Sequence, residues 1–159
     1  MKRGSTFFLR GAVLALGAAV LAICIFALPA IWVTIGKEYP HTSAPYGVVA
    51  AMYVAAVPFF VALYQTLRLL NYIDKNIAFS GLSVDALKAI KYCAVAVSVV
   101  FAASMPFFYI WGDRDDAPGL IVIGMILTAA PVVVAVFAAV LQRLLHQAIA
   151  IKKENDLTV

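Results

Sequence analysis

The stretch Gly11–Ile35, GAVLALGAAVLAICIFALPAIWVTI, contains no charged residue and decides the fold of this chain. A helix of about 20 residues, rising 1.5 Å per residue, crosses a hydrocarbon core of about 30 Å, so this stretch is long enough to span a membrane. Three further apolar stretches follow, over approximately 46–70, 92–111 and 119–145. The pattern predicts an all-α integral membrane protein, a four-helix bundle with a single transmembrane domain over residues 1–159.

Composition supports a lipid environment. The chain is 65% hydrophobic and 13% charged, with a mean hydropathy of +0.99. Soluble domains carry about 45–50% apolar and about 25% charged residues. Because a soluble fold of this length could not bury so much apolar surface, lipid is the solvent that the composition requires.

Positive charge is distributed unevenly between the two predicted sides of the membrane. Ten of the twelve Lys and Arg residues fall on one side: Lys2, Arg3, Arg10, Arg68, Lys75, Lys88, Lys91, Arg143, Lys152 and Lys153. Short loops with such a bias face the cytoplasm, so both termini, the loop 71–91 and the tail 146–159 are predicted to be cytoplasmic. The net charge of +4 then reflects topology and attraction to the lipid bilayer, and no nucleic-acid partner is expected.

The first apolar stretch follows a basic start, as the core of a secretory signal does. Its length exceeds the core of about 7–15 residues that signals have, and no clear A-x-A cleavage site follows it. We therefore expect a retained signal-anchor span.

Each predicted span contains one proline, and prolines kink helices by removing a backbone donor. The candidate kinks are Pro29, Pro58, Pro106 and Pro131. They are either hinges or packing bends, since proline is common in membrane-spanning helices. The pattern A-x-P-x-x-V-A occurs in Ala56–Tyr64 and again in Ala129–Phe137. It indicates either two pseudo-repeated helical hairpins or four apolar helices that converged on similar residues.

Residues typical of catalysis or ion coupling are missing from the spans. No Asp, Glu, Lys or Arg lies near mid-depth, although proton relays and ion pumps usually need such groups. His41 and His146 are predicted on opposite sides of the membrane, so they cannot share a metal. The acidic turn Asp113–Asp116 either binds a divalent cation weakly or is a solvated turn. We expect no catalytic residue, no cofactor and no metal site.

The inner segments carry more pattern than the spans do. Ser83 is predicted to cap a short amphipathic helix over 84–90 that leads into the third span. The last span is predicted to continue as a helix to Glu154, with Asn155–Val159 frayed.

These inner segments resemble the DUF2975 family of bacterial membrane proteins. The resemblance is carried by LNYIDKNIAFS at Leu70–Ser80, SVDALKAIKY at Ser83–Tyr92, DDAPGL at Asp115–Leu120 and IKKENDLTV at Ile151–Val159. It implies a multi-pass protein of the bacterial cytoplasmic membrane with four spans and no known active site. Genes of the family often neighbour small helix-turn-helix regulators, which implies a regulatory pairing.

The signature residues of the resemblance are the candidate partner-binding residues: Asp74, Phe79, Ser80, Glu154, Asn155, Asp156 and Leu157. Since all are predicted on the cytoplasmic face, the leading hypothesis is a non-enzymatic membrane protein, regulatory or partner-binding through its loop and tail. The partner would be a cytoplasmic or membrane protein. The alternative is a small transporter or channel subunit that acts as a homo-oligomer.

Overall fold

The computed structural model describes residues 2–158, with side chains from residue 4 onward. The side chains of Lys2, Arg3 and Val159 therefore lie outside the described part of the chain. The elements are α1 (Lys2–Ala22), a π-helical segment (Ile23–Ala27), α2 (Leu28–Glu38), α3 (Ala44–Asp74), α4 (Gly81–Arg114) and α5 (Pro118–Thr158). The first three form one continuous first span, and it joins α3, α4 and α5 as four helices long and apolar enough to cross a membrane. The prediction of an all-α integral membrane protein with four spans is confirmed.

The helices extend past the predicted spans at the ends predicted to be cytoplasmic. Helix α4 has 34 residues and α5 has 41, which at 1.5 Å per residue give lengths of about 50 and 60 Å, against a hydrocarbon core of about 30 Å. Of the predicted loop 71–91, only residues 75–80 lie outside helices. The surface predicted to face the cytoplasm is therefore built mainly from helix ends and not from a long loop.

Backbone capping explains why this loop is short. Asn76 adopts a left-handed conformation with φ of 61°, which Asn tolerates better than most residues. The N–H of Ile77 then donates to the carbonyl of Tyr72 at 3.0 Å, the long bond of a Schellman motif. Asp116, with φ of 51°, closes α4 in the same way at the outer turn. Each motif ends its helix and satisfies carbonyls that the helix leaves unpaired.

The predicted capping role of Ser83 is wrong. Helix α4 begins at Gly81, with Ser80 as its N-cap residue, so Ser83 lies inside the first turn and is fully buried. The hydroxyl of Ser80 donates to the carbonyl of Ile77 at 2.6 Å and makes no side-chain cap bond. The hydroxyl of Ser80 is thus used to close the preceding loop.

The predicted fraying of the tail is also not what the structure shows. Helix α5 continues without interruption to Thr158. The hydroxyl of Thr158 donates to the carbonyl of Glu154 at 2.6 Å, so it satisfies a carbonyl in the last turn, where backbone acceptors lack partners.

The core lies between α3 and α4, and α4 in turn packs closely on α5. Its main cluster consists of Val48, Ala55, Val97, Phe101 and Phe108. Small residues make this close approach possible, since lipid provides no hydrophobic force between helices. A Cβ atom added to Gly47 would lie 2.6 Å from the ring of Phe107, and one added to Gly124 would lie 2.9 Å from Phe108.

The first span is packed less tightly. Over residues 4–38 the buried side chains are Thr6, Leu28 and Ile35. Leu28 and Ile35 form a small cluster with Val49 of α3. Among the described residues the first span and α5 do not pack extensively on each other, so the helices follow in the order first span, α3, α4, α5.

The π-helical segment has an identifiable cause. The N–H of Leu28 donates to the carbonyl of Ile23, five residues earlier, so the carbonyl of Cys24 would need the N–H of Pro29. Proline has none. The hydroxyl of Tyr53 on α3 donates to the Cys24 carbonyl instead, at 2.9 Å. A neighbouring helix thus satisfies the acceptor that this proline leaves unpaired.

The other three prolines lie inside helices that continue through them, Pro58 in α3, Pro106 in α4 and Pro131 in α5. Near the last of these, the hydroxyl of Ser98 donates across the α4–α5 contact to the carbonyl of Thr128 at 2.8 Å. Whether any of these positions acts as a hinge stays a prediction. The hairpin repeat also stays a prediction. The second hairpin, formed by α4 and α5, is packed more closely than the first, formed by the first span and α3.

Candidate functional site

An ion pair joins the first span to the C-terminal end of α3, which is predicted to face the cytoplasm. Nη2 of Arg10 lies 2.8 Å from Oδ2 of Asp74, and the two side chains are 37% and 26% exposed. The same Nη2 donates to the amide oxygen of Asn71 at 3.5 Å. Asp74 is the last residue of α3, where the helix dipole disfavours a carboxylate, so Arg10 supplies the compensating charge. This candidate residue is therefore engaged inside the protein.

Sequence reasoning identified Asp74 but not Arg10 as part of this site. A usable signal was present in the positions of the two charges. Arg10 is the last charged residue before the first apolar stretch, and Asp74 is the first acidic residue after the second. Helices that run in opposite directions bring such positions to the same depth.

Arg68 lies nearby and is held by neutral groups. Its Nη2 donates to the hydroxyl of Tyr72 at 2.7 Å, and its Nη1 donates to Oε1 of Gln65 at 3.5 Å. The guanidinium carbon is also 5.8 Å from the centroid of the Tyr72 ring. Among the described side chains no carboxylate lies within ion-pair distance of Arg68. Its positive charge is fixed in position and uncompensated.

Two grooves flank the contact between the first span and α3. The first, which we name the loop groove, has a volume of about 440 Å³ and is lined mainly by apolar side chains, among them Leu9, Leu70, Ile73 and Phe79. At about 100° per residue, its lining positions lie on one side of the Arg10–Asp74 pair.

The second groove, which we name the arginine groove, lies on the other side of that pair. Its volume is about 370 Å³, and it is lined by Arg10, Leu14, Leu67, Arg68 and Asn71. It therefore combines two guanidinium groups and an amide with two leucine side chains.

The loop candidates have different environments. Phe79 is 56% exposed and borders the loop groove. The hydroxyl of Ser80 and the carboxylate of Asp74 are both engaged by internal partners. Of the three candidates in the loop, Phe79 is the one that presents its side chain outward.

The tail candidates lie on the part of α5 that extends beyond the predicted span. Residues 146–158 are helical, which at 1.5 Å per residue makes a projection of roughly 20 Å. Glu154, Asn155, Asp156 and Leu157 are all exposed along it. Residues three apart on a helix are neighbours, so Ile151, Glu154 and Leu157 form one ridge, and Asp156 points to the opposite side. We name these three residues the tail ridge.

The loop and tail candidates do not converge on one cluster. The loop connects α3 to α4, whereas the tail belongs to α5, and α3 and α5 do not pack extensively on each other in the described chain. A partner that contacts both would have to bridge the cytoplasmic end of α4.

The acidic turn on the outer side has a structural role. The hydroxyl of Tyr39 donates to the carboxylate of Asp115 at 2.7 Å, and Nε1 of Trp111 donates to it at 2.9 Å. The hydrogen bond to Asp115 raises the pKa of Tyr39, with smaller contributions from desolvation and from the charge of Asp115. This carboxylate links the two outer turns. In residues 2–158 no group of three His, Cys, Asp or Glu side chains is arranged to hold a metal ion.

Comparison with known proteins places the chain in a family. Residues 30–159 match the family described as "Protein of unknown function (DUF2975)". The chain is also 54% identical over 160 residues to the "Uncharacterized membrane protein YoaS" of Bacillus subtilis (strain 168), with each sequence covered in full. No solved structure shows a significant match. The resemblance seen in the sequence is confirmed, and the protein is a multi-pass protein of the bacterial cytoplasmic membrane that belongs to the DUF2975 family.

Proposed function

We propose that this membrane protein has no catalytic activity of its own and binds a protein partner at the cytoplasmic face, through the projecting end of α5. The observation that carries the proposal is the exposure of apolar side chains on the part of α5 that continues past the predicted span. Leu157 is 81% exposed and Ile151 is 67% exposed. Along the hydrocarbon core such exposure faces lipid, whereas both residues lie past residue 145, the predicted end of the last span.

The tail ridge has the form of a helix that docks in a groove. Ile151 and Leu157 are six residues apart, so they lie about two turns apart on adjoining parts of one side, with Glu154 between them. Amphipathic helices bind partners by placing apolar residues from one side into a hydrophobic groove. Lys153 flanks the ridge and can select a partner with acidic residues at its rim.

Phe79 extends the proposed surface toward the loop. It is a large aromatic side chain, exposed at the turn between α3 and α4, and aromatic side chains are enriched among the residues that dominate binding energy. The proposal assigns the primary contact to the tail ridge and a secondary contact to Phe79. Asp74 contributes by fixing the end of α3 through its ion pair with Arg10.

The test compares two changes on the same helical segment. Full-length tagged protein is purified in mild detergent from a bacterium that encodes it, and bound proteins are measured by quantitative mass spectrometry. The double variant I151S/L157S removes the apolar part of the tail ridge, and the control variant K152S changes a residue on the opposite side. Since burying each Ile or Leu contributes about 1.5–3 kcal/mol, recovery of the partner should fall by at least tenfold with I151S/L157S.

The control should retain the same partner at an unchanged level. Recovery of the same proteins in the same amounts from the double variant would refute a contact through the tail ridge. A Phe79→Ser variant measured in parallel should show a smaller loss if the loop supplies the secondary contact.

A further inference from the structure

We propose that the arginine groove binds the headgroup of one anionic phospholipid from the inner leaflet. The groove lies between the first span and α3, on different helices from the tail ridge. Its occupation therefore does not depend on the proposed partner binding, and the two proposals can fail separately.

The lining of the groove is polarised along the membrane normal. Arg10 and Asn71 lie toward the predicted cytoplasmic end, whereas Leu14 and Leu67 lie one helical turn deeper along their helices. The backbone of Arg68 is at the level of Leu67, but its guanidinium group reaches back toward that end and contacts Tyr72. A ligand that fills the groove therefore needs a polar end toward the cytoplasm and an apolar end toward the bilayer centre. A phospholipid has this form, with its phosphate at the interface and its acyl chains below.

The charge of the groove favours an anion. The charge of Arg10 is balanced by Asp74 at 2.8 Å, but Arg68 has neutral partners, so the described residues leave one net positive charge. A phosphodiester carries one negative charge and accepts hydrogen bonds from a guanidinium group. Basic pockets between spanning helices on the cytoplasmic side bind anionic lipid headgroups on the same principle.

Arg68 is also held in place before any ligand arrives. The hydroxyl of Tyr72 accepts a hydrogen bond from it at 2.7 Å, and the Tyr72 ring lies under the guanidinium group. Because less side-chain entropy remains to be lost on binding, a pre-oriented arginine favours binding at a defined position. An arginine that only anchored the helix in the interface would not need such restraint.

Access and size agree with a lipid that enters from the side. Arg68 and Leu14 are both exposed, so the groove is open at the surface of the helices. The volume of about 370 Å³ lies near the lower end of the range of about 300–1,000 Å³ for ligand pockets. It accommodates a headgroup and the start of the acyl chains, with the remaining chain length in contact with bilayer lipid.

Native mass spectrometry of the full-length protein in mild detergent tests the proposal, with phosphatidylglycerol or phosphatidylcholine as the added lipid. The first phosphatidylglycerol should bind more tightly than phosphatidylcholine. Since a basic residue near the surface contributes about 1 kcal/mol to anionic lipid binding, its affinity should fall about fivefold or more in R68Q. The variant R68K should retain most of the affinity, and R143Q should leave it unchanged, since Arg143 is an exposed arginine on α5 outside the groove.

The variant Y72F keeps the charge of Arg68 and removes the hydroxyl that orients it. It should weaken phosphatidylglycerol binding by a smaller factor than R68Q, and it decides the question if R68Q does not fold. Equal binding of the two lipids would overturn the proposal, as would equal losses in R68Q and R143Q. Displacement of phosphatidylglycerol by millimolar inorganic phosphate would also overturn it, because the groove would then be a site for free phosphate.

Discussion

The hydrogen bond from Tyr53 to the carbonyl of Cys24 should stabilise the first span. Its contribution to the free energy of unfolding should depend on Pro29. The variant Y53F removes the donor and leaves the carbonyl without a partner, because the π-helical segment directs the N–H of Leu28 to Ile23. Hydrogen bonds between spanning helices contribute about 0.6 kcal/mol on average and at most about 1.7 kcal/mol. We expect Y53F to lower the free energy of unfolding by about 1–1.7 kcal/mol, at the upper end of this range, since an unpaired carbonyl in hydrocarbon is costly.

Pro29 provides the matched background. The variant P29A restores a backbone N–H at the position that the Cys24 carbonyl would otherwise use, so the carbonyl no longer needs the tyrosine hydroxyl. In that background Y53F should cost less than about 0.5 kcal/mol, which gives a coupling energy of about 0.5–1.7 kcal/mol, against deviations of about 0.3–0.5 kcal/mol for independent sites. The control Y64F changes an exposed tyrosine on the same helix, whose hydroxyl has no hydrogen bond among the described residues.

Reversible unfolding in mixed micelles of a mild detergent and dodecyl sulfate, followed by helicity, measures the unsubstituted protein, the three variants of this cycle and the control Y64F. The reasoning fails if Y53F costs the same with and without Pro29, because the proline would then not be the reason that the carbonyl needs Tyr53. It also fails if Y64F is as destabilising as Y53F, since the loss would then come from removing any tyrosine hydroxyl on α3.

Three further outcomes are expected. The variant G47A should lower the free energy of unfolding by about 1–3 kcal/mol, because its Cβ would lie 2.6 Å from the Phe107 ring. The control G11A should not lower it, because no atom lies within 4 Å of a Cβ added there. Equal effects of the two variants in detergent unfolding would contradict the close contact at Gly47. The pKa of Tyr39 is raised in the folded protein, so the contribution of Tyr39 to stability is complete below the ordinary pKa of 10.0 and is lost as pH rises through the higher folded value. The fall in Tm above pH 10.0 should therefore be steeper than in Y39F. Parallel curves of Tm against pH would exclude the link to Asp115. Cysteines added at either terminus should resist an impermeant thiol reagent in intact cells, and labelling of one terminus would contradict four crossings.

The number and course of the spans could be predicted because lipid leaves few choices. Unpaired backbone groups are costly in hydrocarbon, so an uncharged stretch such as Gly11–Ile35 must be helical whatever it packs against. The basic residues assign the sides by a similar argument, which needs composition and no contacts. Hydropathy carries this information directly, and it accounts for the agreement between predicted and observed architecture.

Contacts between helices could not be predicted in the same way, because they depend on which faces meet. The sequence around Tyr53 does not indicate that its hydroxyl bonds to the carbonyl of Cys24. The sequence around Arg10 likewise does not indicate that it pairs with Asp74. The observed helix ends differ from the predicted ones for another reason. Asn76 ends α3 by its left-handed backbone, and α4 starts so soon afterward that Ser83, a good capping residue by type, lies inside the helix instead.

The first span shows why these contacts matter more in lipid than in water. It buries few side chains against the other helices, and lipid adds no hydrophobic force to hold it there. Polar links at three depths connect it and its outer turn to α3 and α4, namely Arg10–Asp74, Cys24–Tyr53 and Tyr39–Asp115. The inner link also separates the two grooves and sets the depth of Arg10 beside Arg68. The same Arg10–Asp74 ion pair therefore attaches the first span to α3 and positions the side of the arginine groove that Arg10 forms. The least buried helix is thus held next to the place where the proposed lipid would bind.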